Sequence, residues 1–378
     1  VVNAIREKIL ILRSTMKKIL SIDGGGIRGI IPGMALVALE RKLKRESGNP
    51  RAAIADYFDF FAGTSTGGIL ISLLLCPDKE NPARPRFSAE EALNLYVAHG
   101  SDIFKSSRFR RLLASFGLVS ERYNAATLEN VLQTYFEETK LSELIKPCII
   151  PAYNIELRKT HFFRQQKAIE RGDVRDFFVR DVCRATAAAP TYLSVAEIYS
   201  LAGTRYPLLD GGVFAPNPSM SALVEVTQAF NQTRIDDITI VSLGTGRSRK
   251  AYDYEYFKKK KAISIGPALV DIMMSGAAES SDFFLRRLYE SVQKSHQYIR
   301  IEPADLHSVN EGLDAASPAN IKKLVALGDR MVSRNNDAIN SLVGWLLREK
   351  EKQNHQAKSP WSFLTRSPKT PHKNNDKP

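Results

Sequence analysis

The chain has 378 residues, 43% of them hydrophobic and 25% charged. That balance supports a large buried core and excludes a fibrous or intrinsically disordered protein. Fifty-four Lys and Arg against 41 Asp and Glu leave a net charge of +13. Such an excess suits nucleic acid, an anionic membrane surface, an acidic regulator or simply a basic tail, and charge does not choose among them. Cys76, Cys148 and Cys183 are far apart and lack a C-x-x-C spacing. Neither a disulfide framework nor a zinc site is expected, and a reducing cytoplasm is the simplest compartment.

In chain order, residues 1–16 are an N-terminal extension or a short first helix. They make a poor signal peptide, because charges interrupt the apolar stretch and no small-residue cleavage site follows. No apolar run approaches the ~20 residues needed to cross a bilayer. Lys17–Asp23 reads as a buried strand ending in a glycine run. Pro32 opens a helix to about Arg45. Tyr57–Ala62 is a second apolar strand, followed by the turn Gly63–Gly67 and a helix over Gly68–Leu75. A Pro-rich loop precedes a helix over Ser88–His99, capped by Ser88 with Glu91 three residues on. Asn124–Phe136 is helical, Pro147–Glu156 and Thr160–Arg164 are strands, and Arg175–Ala189 is a helix that stops at Pro190. Strands at Leu193–Ile198 and Tyr206–Leu209 lead into Asp210-Gly211-Gly212. A helix over Pro218–Phe230 and a strand over Ile238–Leu243 enter the turn Gly244-Thr245-Gly246. Residues 263–291 and 318–348 are helical, with a strand at Gln297–Ile301 between them. This alternation predicts one α/β domain over 17–348, with helices on both faces of a sheet. Residues 349–378 are basic and polar and read as a disordered tail.

Three segments carry chemistry. Gly63-Thr64-Ser65-Thr66-Gly67 sits between an apolar strand and an apolar helix, the setting of a nucleophile elbow. In such a sharp turn the serine is exposed, and flanking glycines let two backbones pass closely. Asp23-Gly24-Gly25-Gly26-Ile27-Arg28-Gly29 leaves bare amides facing a helix start, an anion-binding arrangement. It also fits the Gly-x-Gly-x-x-Gly of dinucleotide folds, but the next strand carries Asp59 in its middle instead of an acid at its end. No Gly-Lys-Ser/Thr follows, which excludes a P-loop. An oxyanion hole, with donors aimed at a developing negative oxygen, fits better. Asp210-Gly211-Gly212 places a carboxylate at a strand end, though alone it reads as a plain turn.

Together these segments resemble the patatin-like phospholipase family, in its bacterial-type, cytosolic form. The match spans roughly residues 17–250. Ala185-Thr186-Ala187-Ala188-Ala189-Pro190 and Ser242-Leu243-Gly244-Thr245-Gly246 add two further family-like segments in order. The resemblance implies a three-layer α/β/α fold with a mostly parallel central sheet. It implies a phospholipase A-type serine lipid acyl hydrolase, in which Ser65 attacks an acyl ester and Asp210 takes its proton. Gly24, Gly25, Gly26 and Arg28 would form the oxyanion hole, with Gly63 and Gly67 shaping the elbow. No metal or cofactor is implied. The substrate is a phospholipid or other acyl-ester lipid, met by peripheral contact at the inner membrane surface from the cytoplasm. Some bacterial members are antiphage effectors switched on by cyclic nucleotides, which makes a cyclic nucleotide a candidate activator here.

The competing enzyme class is an α/β-hydrolase with a Ser–Asp–His triad, whose histidine would be His296 or His307. Neither has a strong context, and both read as surface histidines, as do His99 and His161. A nucleic-acid-binding protein would use the basic patches but gives no reason for three loops in this order. Ser106–Leu118 mixes Arg108, Arg110 and Arg111 with Phe109, Leu112 and Phe116, as either an interfacial helix or a core helix with a basic outer face. Trp361, Phe363 and Leu364 among basic residues read as a solvated tail before a lipid-binding one. Lys258–Lys261 after Tyr252, Tyr254 and Tyr256 read as a solvated loop before a nucleotide surface.

Overall fold

A computed structural model describes residues 16–105, 123–230, 233–248, 251–259 and 262–358. Eight strands form one sheet: β1 (Lys17–Ile22), β2 (Phe60–Gly63), β3 (Cys148–Asn154), β4 (Lys159–Arg164), β5 (Ala196–Tyr199), β6 (Arg205–Asp210), β7 (Ile238–Leu243) and β8 (Tyr298–Ile301). The helices that position the site are α1 (Ile30–Ser47), α2 (Thr66–Leu75), α3 (Ala89–Ile103), α4 (Ala125–Phe136), α5 (Gln165–Arg171), α6 (Val179–Thr186), α7 (Ser219–Ala229), α8 (Tyr254–Lys259), α9 (Ala262–Ser291), α10 (Pro318–Arg334) and α11 (Asn336–Lys358).

The sheet runs in the order β5-β6-β3-β2-β1-β7-β8, with β4 also on β3. Strands β3, β2, β1, β7 and β8 are mutually parallel. Strand β4 is antiparallel to β3, as is β6, and β5 is antiparallel to β6. Side chains of a strand alternate between faces, and β1 shows how this makes three layers. Leu20 and Ile22 join a large core with Ile31, Leu36, Phe61 and Leu70. Ile19 points the other way, into a smaller core with Phe60, Leu223, Ile240, Leu285 and Tyr289. The expected α/β/α sandwich with a mostly parallel sheet is therefore the observed one.

Register explains where the chemistry collects. Ile22 is level with Gly63 of β2 on one side and Leu243 of β7 on the other. The three glycine-containing loops thus leave the sheet side by side at its carboxyl end, where open α/β sheets form their crevices.

Most elements match the sequence reading, and the differences have local causes. The expected helix over Arg175–Ala189 starts only at Val179, because the Asp176 carboxylate accepts from the backbone amides of Ser142 and Phe177 and holds that stretch irregular. The expected 318–348 helix is two, broken at Asn335, whose side chain bonds back to the Met331 carbonyl. The tail boundary moves: α11 continues past Arg348 to Lys358, because nothing before Pro360 breaks a helix and Glu349 pairs with Lys352 one turn on. The tyrosine and lysine stretch taken for a loop contains α8. Residues 1–15, the amphipathic candidate Ser106–Leu118 and the aromatic tail Trp361–Leu364 lie outside the described residues.

Candidate active site

Ser65 follows β2 after one residue, Thr64, and immediately precedes α2. Its φ is +53°, a left-handed conformation that costs a non-glycine residue of order 1–3 kcal/mol. Its neighbours show how the turn is held. A Cβ on Gly67 would lie 2.2 Å from the Ile22 carbonyl oxygen, and one on Gly63 would lie 2.3 Å from that of Gly67. Only glycine allows β1, β2 and α2 to approach this closely. The Ser65 amide donates to the Thr186 hydroxyl (3.0 Å), which donates to the Pro151 carbonyl (2.6 Å). The Thr64 hydroxyl donates to the Ala215 carbonyl, and Tyr96 of α3 donates to the Thr66 carbonyl. The elbow is thus tied to four other segments.

Asp210 reaches Ser65 through strand geometry. Strand β4 occupies one edge of β3 over Ile149–Asn154. The other edge is shared end to end by β2, opposite Cys148 and Ile149, and by β6, opposite Ala152–Asn154. Strand β6 runs against β2 and stops where β2 turns away, so the last residue of β6 comes level with Ser65, the second residue beyond β2. The Asp210 carboxylate is 2% exposed, accepts the Gly212 amide at 2.6 Å, and lines the same pocket as Ser65. Burial raises its pKa to about 7, against the lowering effects of the Gly212 amide and the nearby Ser65. Gly211 lets the turn close, because a Cβ there would lie 2.3 Å from the Pro151 carbonyl oxygen.

The glycine run separates into two roles. The Gly24 amide donates to the Pro216 carbonyl at 2.9 Å, so it is not turned toward Ser65. The amides of Gly25 and Gly26 have no protein acceptor among the described residues, and both glycines line the pocket beside Ser65. Arg28 is buried and braces this loop: its Nε lies 3.5 Å from the Gly25 carbonyl oxygen and its Nη1 3.3 Å from that of Gly246. Thr245 adds a bond to the Gly24 carbonyl. Of the four expected oxyanion residues, Gly25 and Gly26 face the site, while Gly24 and Arg28 support it.

The pocket over Ser65 and Asp210 is apolar, lined by Ile69, Leu95, Tyr96, Ile103, Leu128 and Met274 among others. Its enclosed volume is small, ≈ 50 Å³, within an open space of ≈ 640 Å³ that includes the mouth. An acyl chain suits such a lining, and a charged dinucleotide does not. Asp59, weighed as a nucleotide ligand, pairs with buried Lys18 at the start of β1, at the opposite end of the sheet.

Among the described residues, no histidine lines this pocket. His296 is exposed at the amino end of β8, which is parallel to β1 and β7 and so far from their carboxyl ends. His307 is exposed on a separate groove with Arg330 and Arg334. His161 is enclosed by Phe163, Phe177 and Tyr206, and burial lowers its pKa to about 4. Sequence reading missed Thr186, Pro216 and Arg300 as supports. Thr186 lies inside a segment already noted as family-like, whereas nothing local marks Pro216 or Arg300.

The model of the patatin-like phospholipase family matches residues 20–223, more than half of the chain. The chain belongs to this family. It is 31% identical to patatin-like protein 2 of Arabidopsis thaliana, over 84% of this chain and 83% of that one. It is 32% identical to patatin group J-1 of Solanum tuberosum, covering 84% of each, and 29% identical to patatin-like protein 1 of Oryza sativa subsp. indica, over 86% and 83%. As a patatin-like phospholipase it is a lipid acyl hydrolase whose substrates are lipids. Among the described residues, no helix is long and apolar enough to cross a membrane.

Proposed function

We propose that this protein cleaves fatty acyl esters of phospholipids through a Ser65–Asp210 dyad, by way of an acyl-enzyme. The observation that carries the reading is the buried Asp210 carboxylate lining one apolar pocket with Ser65, its pKa raised by burial to about 7. A carboxylate at its ordinary pKa of ~3.9 is too weak a base to activate a serine. One near 7 is matched to the task. Ser65 Oγ attacks the ester carbonyl while its proton passes to Asp210. The carbonyl oxygen gains negative charge, and the amides of Gly25 and Gly26 supply donors for it, joined by the Thr66 amide just after the nucleophile. Asp210 then returns the proton to the leaving lysolipid alcohol. Water, deprotonated by the same carboxylate, attacks the acyl-enzyme and releases the fatty acid.

The apolar pocket supports an acyl chain lying against Ile69, Leu95 and Leu128. Regulation by a cyclic nucleotide has thinner support: Tyr254 is 73% exposed with Lys258 Nζ 5.6 Å from its ring centre, a pairing that could stack on a base.

The test is lipid mass spectrometry on mixed phospholipids, with short-chain ester turnover alongside. Ser65→Ala and Asp210→Asn should each lower turnover by several orders of magnitude while remaining folded. His296→Ala and His307→Ala should keep near-parent rates. A folded Ser65→Ala protein that still turns over, or a dead but folded histidine variant, would reject the dyad.

A further inference from the structure

Helix α9 is apolar on two sides. Its inner face carries Leu285 and Tyr289 into the smaller core and Met274 into the catalytic pocket. Its outer face carries Leu269, Ile272, Met273, Phe283 and Phe284, between 40% (Ile272) and 59% (Met273) exposed. At 3.6 residues per turn these five fall within about 120° of the helix circumference, on a stripe ~22 Å long. Gly276 and Ser280 continue the same line between them, and a Cβ at Gly276 would meet nothing within 4 Å. Scattered exposed apolar residues are normal, but five aligned on one helix face mark a contact surface. Phe283 and Phe284 meet edge to face at 5.8 Å, and the Arg287 guanidinium lies 5.6 Å from the Phe283 ring centre.

We propose that this outer stripe of α9 seats the protein on an anionic lipid bilayer, with the helix parallel to the surface. Two observations select the bilayer as occupant. The same helix walls the catalytic pocket: Met273 belongs to the stripe, and the adjacent Met274, about 100° further round the helix, lines the pocket. Seating α9 therefore places a wall of the pocket at the lipid surface. The chain also carries +13 net charge, which draws it to anionic headgroups before the apolar contacts form. An interfacial helix sinks its apolar face about 5–10 Å, to the boundary between headgroups and acyl chains, a depth that Leu, Ile, Met and Phe side chains suit. The inference rests on the lipid hydrolase reading for its biological sense, but its physical content is binding.

The experiment uses the full chain and vesicles of phosphatidylcholine with and without phosphatidylglycerol. Vesicle flotation is measured with Ser65→Ala as the parent, so that binding is read without catalysis. Leu269→Ser/Ile272→Ser/Met273→Ser and Phe283→Ser/Phe284→Ser are then introduced, both in that parent and in active protein. The expected result is at least tenfold weaker binding to anionic vesicles and a matching loss of vesicle hydrolysis. Short-chain ester turnover and circular dichroism should be unchanged. Stripe variants that float and hydrolyse vesicles like their parents overturn the proposal. So does a parent that sediments as a dimer and becomes monomeric on substitution with vesicle binding intact, since the stripe would then seat a second copy. Should no Ser65-dependent hydrolysis exist while the stripe variants still lose vesicle binding, the catalytic reading fails and this one stands.

Discussion

As the base of the proposed dyad, Asp210 carries two opposed requirements. It must be desolvated to act as a base, and desolvation makes its charged form costly. Its pKa of about 7 in the folded chain lies well above the ~3.9 of an unfolded aspartate. The ionised form does the chemistry, so kcat/KM should rise with pH through about 7 and then level off, with no histidine needed to shape the limb. Stability follows the opposite sense. Below the unfolded pKa both states are protonated and no penalty exists, whereas above about pH 7 the folded state holds a buried charge and the penalty is complete. Asp210→Asn should therefore raise stability at about pH 9 by as much as ~4 kcal/mol, while abolishing turnover, and should change stability little near pH 4. Urea unfolding at both pH values, beside the rate profile, checks this. A pH-independent stability difference would mean that Asp210 does not titrate as argued.

At the scale of elements, the glycine loop is held from behind by a buried polar chain. Arg300 of β8 is 3% exposed and donates to both oxygens of Asp23, at 2.9 and 2.5 Å, to Glu302 and to the Ser242 hydroxyl. Ser242 continues through Ser219 to Ser21 beneath the sheet. Asp23 begins the loop whose Gly25 and Gly26 line the pocket beside Ser65, so the ion pair fixes the position of the proposed donors. Removing one partner of a buried pair leaves the other charge stranded and typically costs 3–5 kcal/mol. Arg300→Leu should destabilise the fold by about that amount and lower kcat more than it raises KM, because donors to the intermediate move while the acyl pocket does not. Adding Asp23→Asn should restore part of the stability. Denaturant titration with steady-state kinetics decides it, and an Arg300→Leu protein with parent stability and kcat would show the pair to be idle.

For the whole molecule, the +13 charge becomes testable once a lipid surface is the substrate. Attraction to anionic vesicles is screened over a Debye length of ≈ 10 Å at 0.1 M salt and 3 Å at 1 M. Hydrolysis of phosphatidylglycerol-containing vesicles should therefore fall several-fold as salt rises over that range, with short-chain ester turnover nearly constant. Equal salt dependence on both substrates would place the effect in catalysis rather than attraction.

How much was legible follows from the range over which each feature is decided. The β1 loop and the Ser65 elbow could be read because each is local: an apolar strand, glycines at a close approach and an apolar helix lie within a short stretch of chain. The strand and helix order, and hence the layered fold, followed from hydrophobic period in the same way. Helix ends were less legible, as at Val179 and Lys358, because side-chain bonds and ion pairs decide them. The meeting of Asp210 with Ser65 required β2 and β6 to share one edge of β3, and burial by the whole sheet then set the carboxylate's pKa. That Gly24 gives its amide to Pro216, leaving Gly25 and Gly26 for the site, depends on a loop far along the chain. Arg300 behind Asp23 and the outward stripe of α9 are likewise products of packing. Backbone preference and period act between neighbours and are written in the sequence, whereas hydrogen-bond partners, burial and free surfaces arise only when distant strands are laid side by side.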